Sequence, residues 1–441
     1  MNIILLSGGS GRRLWPLSND IRSKQFIKLF KNGNEYESMV QRVYRQIKEV
    51  SPDSDITIAA SKAQVSAINN QLEEKVGLSI EPCRRDTFPA IVLASAYLRD
   101  KKNVDENKAV VVCPIDPYVD KEYFEKLNEL YLQAEKGESN LVLMGIEPTY
   151  PSEKYGYIIP TDKSALSSVE KFTEKPDYKT AEEYIKCGAL WNGGVFAYKL
   201  KYILDKAKEI IGYDNYTQLY DNYSTLKKIS FDYAVVEKEK NIQVIRFSGQ
   251  WADLGTWNTL TEAMQEDAVG KAMMNDECAN VHIINELNIP ILCMGLNNVV
   301  VSASPDGILV SDKEQSSYIK PYVDSINQQI MFAEKSWGSY RVLDAENKSL
   351  TVKVTLNTGH SMNYHSHIER DEVWTVISGI GRTIVDGAER IVTAGDVITM
   401  PKGSRHTVIA ETELKLIEVQ TGENISVFDK QKYTIISDGG R

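Results

Sequence analysis

Ile3-Ile4-Leu5-Leu6-Ser7-Gly8-Gly9-Ser10-Gly11-Arg12-Arg13-Leu14-Trp15-Pro16-Leu17 starts as an apolar run and breaks into a glycine turn followed by two cations. Four β-favouring residues bounded by turn residues read as a buried strand. Gly8, Gly9 and Gly11 let the chain turn tightly and bring backbone N–H groups close to a ligand, because no Cβ stands in the way. Successive exposed N–H groups make a nest for an anion. Arg12, Arg13 and Lys24, in Arg22-Ser23-Lys24-Gln25-Phe26, add positive charge. A polyphosphate needs that combination. The spacing is neither the dinucleotide fingerprint nor the Lys-Ser/Thr phosphate loop.

Outward from this stretch, residues 1–260 alternate short apolar runs with longer amphipathic segments. The runs 56–60, 109–113 and 141–145 read as buried strands. Residues 89–98 read as a helix with Pro89 near its start, and Asp120 as the cap of another. Thr180-Ala181-Glu182-Glu183 reads as a capping box. The alternation predicts an α/β domain with a mostly parallel sheet and helices on both faces. Ligands of such sheets sit beyond the carboxyl ends of the strands, where the glycine turn falls.

The 441 residues predict two or three domains, and 42% hydrophobic with 25% charged residues is a globular composition. The net charge of -10 argues against nucleic acid as a partner, so phosphate must be held by local cations. No apolar run reaches a membrane span, and the start lacks the basic region of a signal peptide. Five scattered cysteines without a Cys-x-x-Cys pair fit a reduced, cytoplasmic protein. Of five histidines, His360, His365, His367 and His406 cluster near the C-terminus, which marks a candidate metal site there.

Val112-Cys113-Pro114-Ile115-Asp116 and Trp251-Ala252-Asp253-Leu254-Gly255 each place an aspartate after an apolar stretch. Alone, each is a turn residue or a cap. Together, two carboxylates from distant parts of the chain suit Mg²⁺ beside phosphates. The glycine turn with Leu14-Trp15-Pro16-Leu17 and Lys24-Gln25-Phe26 resembles the signature loop of mannose-1-phosphate guanylyltransferases, within the sugar-1-phosphate nucleotidyltransferases. Tyr155-Gly156-Tyr157-Ile158, Phe172-Thr173-Glu174-Lys175-Pro176, Leu190-Trp191-Asn192-Gly193-Gly194 and Phe231 to Lys238 resemble further motifs of that family, in its order.

The resemblance implies a Rossmann-like nucleotidyltransferase domain. It implies catalytic roles for Arg12, Lys24, Asp116 and Asp253, with Mg²⁺ on the two aspartates. It implies nucleotide contacts from Leu6, Ser7, Gly8, Gly9, Gly11, Arg12, Arg13, Lys24, Pro82, Arg85 and Thr87. The sugar phosphate falls to Gly156, Glu174, Lys175, Asn192 and Gly194. Lys175 supplies a point charge, while Glu174 and Asn192 can hydrogen-bond sugar hydroxyls. Asp86 and Phe88 replace the family's usual amide and small residue beside the nucleotide pocket, and Ile115-Asp116-Pro117 replaces Ala-Asp-His.

Residues 261–330 turn into short β-rich runs (281–284, 291–294, 299–302 and 308–310) between turns, resembling the small β-helical segment that follows the catalytic domain in this family. A packing or homodimer role is the expectation for it. Residues 331–441 contain Gly359, His365, His367, Glu372 and Gly379, then Gly395, Pro401, Gly403 and His406, which are the two cupin motifs. Period-2 spacing puts His365 and His367 on one strand face, and Glu372 and His406 reach the same point inside a small β-barrel or jelly roll. Three imidazoles and a carboxylate suit a divalent transition metal: Zn, Mn, Fe, Co or Ni. Trp337-Gly338-Ser339-Tyr340 with Glu372-Val373-Trp374 resembles the type II phosphomannose isomerase domain. His365 stands where that family commonly has Gln, and Thr407 where it has Arg.

The leading expectation is transfer from GTP to mannose-1-phosphate, giving GDP-mannose and diphosphate, with a cupin that interconverts mannose-6-phosphate and fructose-6-phosphate. The alternative keeps the chemistry with another nucleoside triphosphate, such as CTP, or another sugar, and a non-catalytic cupin. A third reading is a nucleotide-sugar sensor that binds without turnover.

Overall fold

The apolar run forms the strand Asn2–Leu6, and its Ile3, Ile4 and Leu5 are completely buried. It lies between Asp55–Ser61 and Ala109–Pro114 and runs parallel to both. The structure is a computed structural model that describes the chain except residues 10, 20, 74, 327–328, 426–428 and 435–441. Ser10 of the glycine turn lies outside the described residues.

Among the described residues, nine strands form one sheet in the order Gly77–Glu81, Asp55–Ser61, Asn2–Leu6, Ala109–Pro114, Leu190–Lys199, Leu141–Ile146, Ile242–Phe247, Leu166–Thr173, Tyr157–Pro160. The first four are mutually parallel, as is the pair Leu141–Ile146 and Ile242–Phe247. Leu190–Lys199 runs antiparallel to both neighbours, and Leu166–Thr173 is antiparallel to its own. The sheet is therefore mixed rather than mostly parallel. A buried strand shows the same apolar run in either direction, so residue pattern carries no sign of direction. The reversal matters for the site. It brings the start of Leu190–Lys199 to the rim where Leu141–Ile146 ends, with Asn192 opposite Gly145 and Trp191 opposite Ile146.

The helix Thr87–Lys102 packs on the strands Asn2–Leu6, Asp55–Ser61 and Gly77–Glu81, and Lys121–Lys136 on Ala109–Pro114, Leu141–Ile146 and Leu190–Lys199. Phe88, Ile91 and Val92 of the first helix join Ile4, Val110, Val112, Leu143 and Phe196 of the sheet in one apolar core. Burying each such side chain contributes about 1.5–3 kcal/mol.

The chain forms two compact units. One comprises Met1–Leu14, Ser23–Asp267 and Asp312–Ile319; the other comprises Trp15–Arg22, Ala268–Ser311 and the chain from Lys320 onward. In the second unit, Ala268–Gly270, His282–Asn285 and Val299–Ser304 pair in parallel as successive rungs, around Val281, Ile283, Cys293 and Val301. After them come two antiparallel sheets. One has the order Phe332–Lys335, Gly338–Ala345, Ser349–Leu356, Leu414–Gly422, Arg370–Ser378, Val397–Met400. The other runs Ala388–Thr393, Ile380–Val385, His406–Ala410, His365–Ser366, Gln431–Lys432. Trp374, Leu356, Val408, Leu414 and Leu416 fill the core that both contribute to. This is the cupin jelly roll.

One helix start differs from its expected place. The helix Tyr178–Lys186 begins at Tyr178, and Asp177 caps it by accepting from the Thr180 backbone N–H at 2.8 Å. Thr180 and Glu183 lie inside the helix, so they form no capping box. Asp177 outcompetes Thr180 because the preceding Pro176 favours an extended approach and a carboxylate is a strong cap. Asp177→Ala is expected to cost about 1 kcal/mol in urea unfolding, and Glu183→Ala less than about 0.5 kcal/mol.

Candidate functional site

Pro117–Val119 and Trp251–Asp253 form a two-stranded antiparallel ladder in which Asp253 stands opposite Pro117. Asp116 is thereby carried to Asp253 across 137 residues of sequence. Lys24 lies at the start of the short 3-10 helix Lys24–Phe26, and its Nζ is 2.9 Å from Asp116 Oδ2 and 3.7 Å from Asp253 Oδ1. The ammonium also donates to the Leu254 carbonyl at 3.3 Å. Burial opposes the charge on Lys24, but the two carboxylates outweigh it and hold its pKa above the ordinary lysine value. Burial raises the pKa of Asp253 and Asp116 adds to this, against the pull of Lys24 and Arg13.

The glycine turn is fixed against the same lysine. Gly11 is left-handed (φ 66°), and a Cβ there would stand 3.0 Å from Lys24 Cβ and 3.1 Å from its backbone N. No other residue fits that position without moving Lys24. Ser7 is buried at the strand end, where its hydroxyl accepts from Gln25 Nε2 (2.9 Å) and its carbonyl from Gln64 Nε2 (3.0 Å). Gln64 also donates to Ser23 Oγ at 3.1 Å, tying the two halves of the signature stretch together. Leu6 closes the strand, Gly8 and Gly9 are exposed, and Arg12 and Arg13 open a 3-10 helix directly after Gly11.

Pro82, Arg85 and Thr87 follow the carboxyl end of the edge strand Gly77–Glu81, one strand beyond Asp55–Ser61. The Arg85 guanidinium donates to the Ser224 carbonyl, and Thr87 Oγ1 accepts from Phe231 N at 2.8 Å. Asp86 caps the helix Thr87–Lys102 from a left-handed backbone conformation (φ 72°), its carboxylate accepting from Thr87 N.

Gly156, Glu174, Lys175, Asn192 and Gly194 come together around one point. A side chain on Gly156 would collide with Glu174 Oε2 and come within 3.4 Å of Asn192 Cβ. Asn192 N donates to the Gly156 carbonyl at 2.8 Å, and Lys175 Nζ pairs with Glu174 Oε1 at 2.5 Å. Two groups that residue-level reading passed over join them. Asp232 accepts from Asn192 Nδ2 at 2.7 Å, and burial, reinforced by Glu174, pushes its pKa up to about 6. Tyr150, Tyr155, Trp191 and Trp251 form an aromatic cluster with ring centroids 5.0–6.1 Å apart. Asp232 sits inside the Phe231 to Lys238 stretch, and the two tryptophans each lie within two residues of a named site residue. That proximity was the signal available.

In the second unit, His365, His367, Glu372 and His406 are all 2–3% exposed, and their ligand atoms lie within 4.8 Å of one another. His365 and His406 are direct cross-strand partners, while Glu372 faces them from the other sheet. The strand holding His365 is short, His365–Ser366, and His367 follows just beyond it. Each imidazole Nδ1 meets a backbone carbonyl: Asn363 at 2.6 Å for His365, Asp429 for His367, and Ser404 at 2.9 Å for His406. A carbonyl only accepts, so each Nδ1 carries the proton and each Nε2 lone pair turns inward. Glu372 Oε2 and His406 Nε2, 3.2 Å apart, are then two buried acceptors facing each other without a hydrogen-bond donor. That donor set fits a divalent metal ion. Arg370 also enters the cluster, donating to Glu372 Oε1 at 2.8 Å and lying 3.1 Å from His367 Nε2. Beyond it, Glu418 is buried against Gln420, with its pKa pushed up to about 7 by burial and by Glu372.

A family model described as nucleotidyl transferase matches residues 2–269, more than half of the chain. The chain belongs to the nucleotidyl transferase family. A second model, mannose-6-phosphate isomerase C-terminal, matches residues 324–433 of this nucleotidyl transferase. The xanthan biosynthesis protein XanB of Xanthomonas campestris pv. campestris (strain B100) is 29% identical over 97% of the chain and 96% of its own length. A mannose-1-phosphate guanylyltransferase of Salmonella montevideo is 26% identical, over 98% of both chains. A crystal structure from Thermus thermophilus, described as a mannose-1-phosphate geranyltransferase, superposes with a TM-score of 0.63 at 27% identity, over 73% of this chain and 98% of that one. Members of the family act on nucleoside triphosphates and sugar phosphates. Among the described residues of this nucleotidyl transferase, no helix is long and apolar enough to cross a membrane.

The histidine cluster carries a pH signature. Burial lowers His365 to about 3 from 6.5, with Lys430 and His406 adding to it, and burial lowers His367 as well. For Glu372, burial opposes ionisation, yet the Arg370 guanidinium 2.8 Å away favours it and helps hold the carboxyl below the usual range. The folded chain thus binds fewer imidazole protons than the unfolded chain, so the contribution of His365 and His367 to stability falls as pH drops below 6.5, while the raised Glu418 carboxyl contributes in the opposite sense. In metal-free buffer the urea midpoint of the wild type is expected to drop relative to that of His365→Gln as pH falls from about 7 to about 5.

Proposed function

We propose that this chain is a mannose-1-phosphate guanylyltransferase, joining GTP and mannose-1-phosphate to give GDP-mannose and diphosphate. The observation that carries the reading is Lys24 held between Asp116 and Asp253 at the foot of a glycine turn. A binding module has no need of two partly buried acids around one buried lysine. The Salmonella relative's name supports guanine and mannose as the base and the sugar.

In this reading an oxygen of the sugar phosphate attacks the α-phosphorus in line. The bond to the β-phosphate oxygen breaks, and diphosphate leaves. No protein nucleophile takes part, so positioning and charge stabilisation supply the rate. Gly8, Gly9 and Gly11 would present backbone to the triphosphate just beyond Leu6 and Ser7, whose own backbone is tied into the fold, with Arg12, Arg13 and Lys24 as its cations. Lys24 stays protonated throughout the physiological range because two carboxylates hold it so. Asp116 and Asp253 would hold Mg²⁺, which when bound offsets charge on the phosphate oxygens. Pro82, Arg85 and Thr87 line the base side. Gly156, Glu174, Lys175, Asn192 and Gly194 line the sugar side.

We assign the work to three segments: 1–260 for nucleotidyl transfer, 261–330 as a packing segment, and 331–441 as a metal-dependent isomerase of mannose-6-phosphate and fructose-6-phosphate. The match of residues 324–433 to the isomerase model supports the last of these. His365, His367, Glu372 and His406 would hold a Zn, Mn, Fe, Co or Ni ion there, polarising sugar oxygens during proton transfer.

Diphosphate release is expected with GTP and mannose-1-phosphate. Lys24→Ala or Asp253→Ala should lower kcat/KM by at least about 10³-fold, since each removes charge placed at the reacting phosphates. Near-normal turnover in either variant would refute the assignment. Separately, His406→Gln should lose most of the bound transition metal in elemental analysis, with diphosphate release unchanged; full metal occupancy would remove the cupin site.

A further inference from the structure

Asn192 is held from two sides by partners of fixed character. The backbone N–H of Gly194 can only donate, and it lies 3.1 Å from Asn192 Oδ1. The carboxylate of Asp232 can only accept when ionised, and its Oδ1 lies 2.7 Å from Asn192 Nδ2. Both partners demand the same amide orientation. With the carbonyl turned to Gly194 and one hydrogen given to Asp232, the amide has one N–H left. Beside it, Glu174 has a largely buried side chain, with Oε1 on Lys175 and Oε2 against the bare Cα of Gly156. The subsite therefore presents a fixed N–H donor next to a fixed carboxylate acceptor. A hydroxyl group is the ligand that satisfies both, giving its proton to the carboxylate and taking one from the amide.

We infer that Asp232 is a positioning residue for the sugar subsite, locking Asn192 so that it and Glu174 read a single sugar hydroxyl from both sides. The inference rests on the reading of Gly156, Glu174, Asn192 and Gly194 as the sugar side. The class of ligand is a hexose 1-phosphate carrying one hydroxyl that must both donate and accept. A site built this way rejects the analogue lacking that hydroxyl, because a buried carboxylate and an amide N–H are both left unpaired. The partly raised pKa of Asp232 reflects its burial beside Glu174 and is consistent with a carboxyl placed there for a partner.

The test compares the full-length wild type with Asp232→Ala and Asp232→Asn. Calorimetric affinity for mannose-1-phosphate and for GTP is measured for each, together with diphosphate release and thermal midpoints. Asp232→Ala is expected to weaken mannose-1-phosphate at least about 10-fold, leaving GTP affinity within about 2-fold. Asp232→Asn keeps an acceptor oxygen for Asn192 and should recover most of the loss. A series of deoxymannose 1-phosphates adds a second readout: one member should bind the wild type poorly, and Asp232→Ala should weaken that member no further. Equal sugar affinity in all three proteins overturns the inference. So does a parallel loss of GTP affinity and thermal midpoint that Asp232→Asn does not restore. A wild-type chain that binds the sugar phosphate but releases no diphosphate sinks the catalytic reading instead, because these affinities are measured without turnover.

Discussion

One lysine ammonium shared by two carboxylates organises the N-terminal unit. Lys24, Asp116 and Asp253 come from three separate stretches, and each stretch is held by different backbone contacts. Like charges on the two acids would repel at this distance in a partly buried place. Lys24 offsets that repulsion, and the close approach of Gly11 fixes where Lys24 can stand. The glycine turn, the buried Ser7 and the Gln25 and Gln64 side chains then have a common purpose: they set the lysine's depth relative to the strand ends.

The C-terminal unit solves a related problem with different groups. There the fixed elements are backbone carbonyls, which take the Nδ1 protons and turn three lone pairs toward one carboxylate. The result is a buried set of acceptors with Arg370 as their nearby cation. In the first unit carboxylates set the protonation of the lysine; in the second, backbone carbonyls set the Nδ1 protons of the imidazoles. The chemistry then follows from which charges are left facing the open side.

Much of this was legible from residues in order. The strands Asn2–Leu6 and Ala109–Pro114 and the helix around Pro89 followed from apolar periodicity and turn residues, because those signals are local. The cap of Tyr178–Lys186 lies three residues before the expected one, since Thr180-x-x-Glu183 matches the capping-box pattern while Asp177 caps one turn earlier without such a box. Asp232 and the aromatic cluster escaped notice for a different reason. A lone Asp in a helix start and a Trp beside a strand have ordinary structural uses, and nothing in their spacing says which pocket they face.

Sequence alone determined the residue types: a glycine turn with cations, two isolated acids, and a histidine–glutamate set in its spacing. Those depend on composition and on the short-range periods of strand and helix. Tertiary structure decided the direction of Leu190–Lys199, the meeting of Asp116 with Asp253, and the orientation of the Asn192 amide. Each of these depends on contacts between residues far apart in the chain, and the pairing of distant strands leaves no mark on the local pattern of either partner.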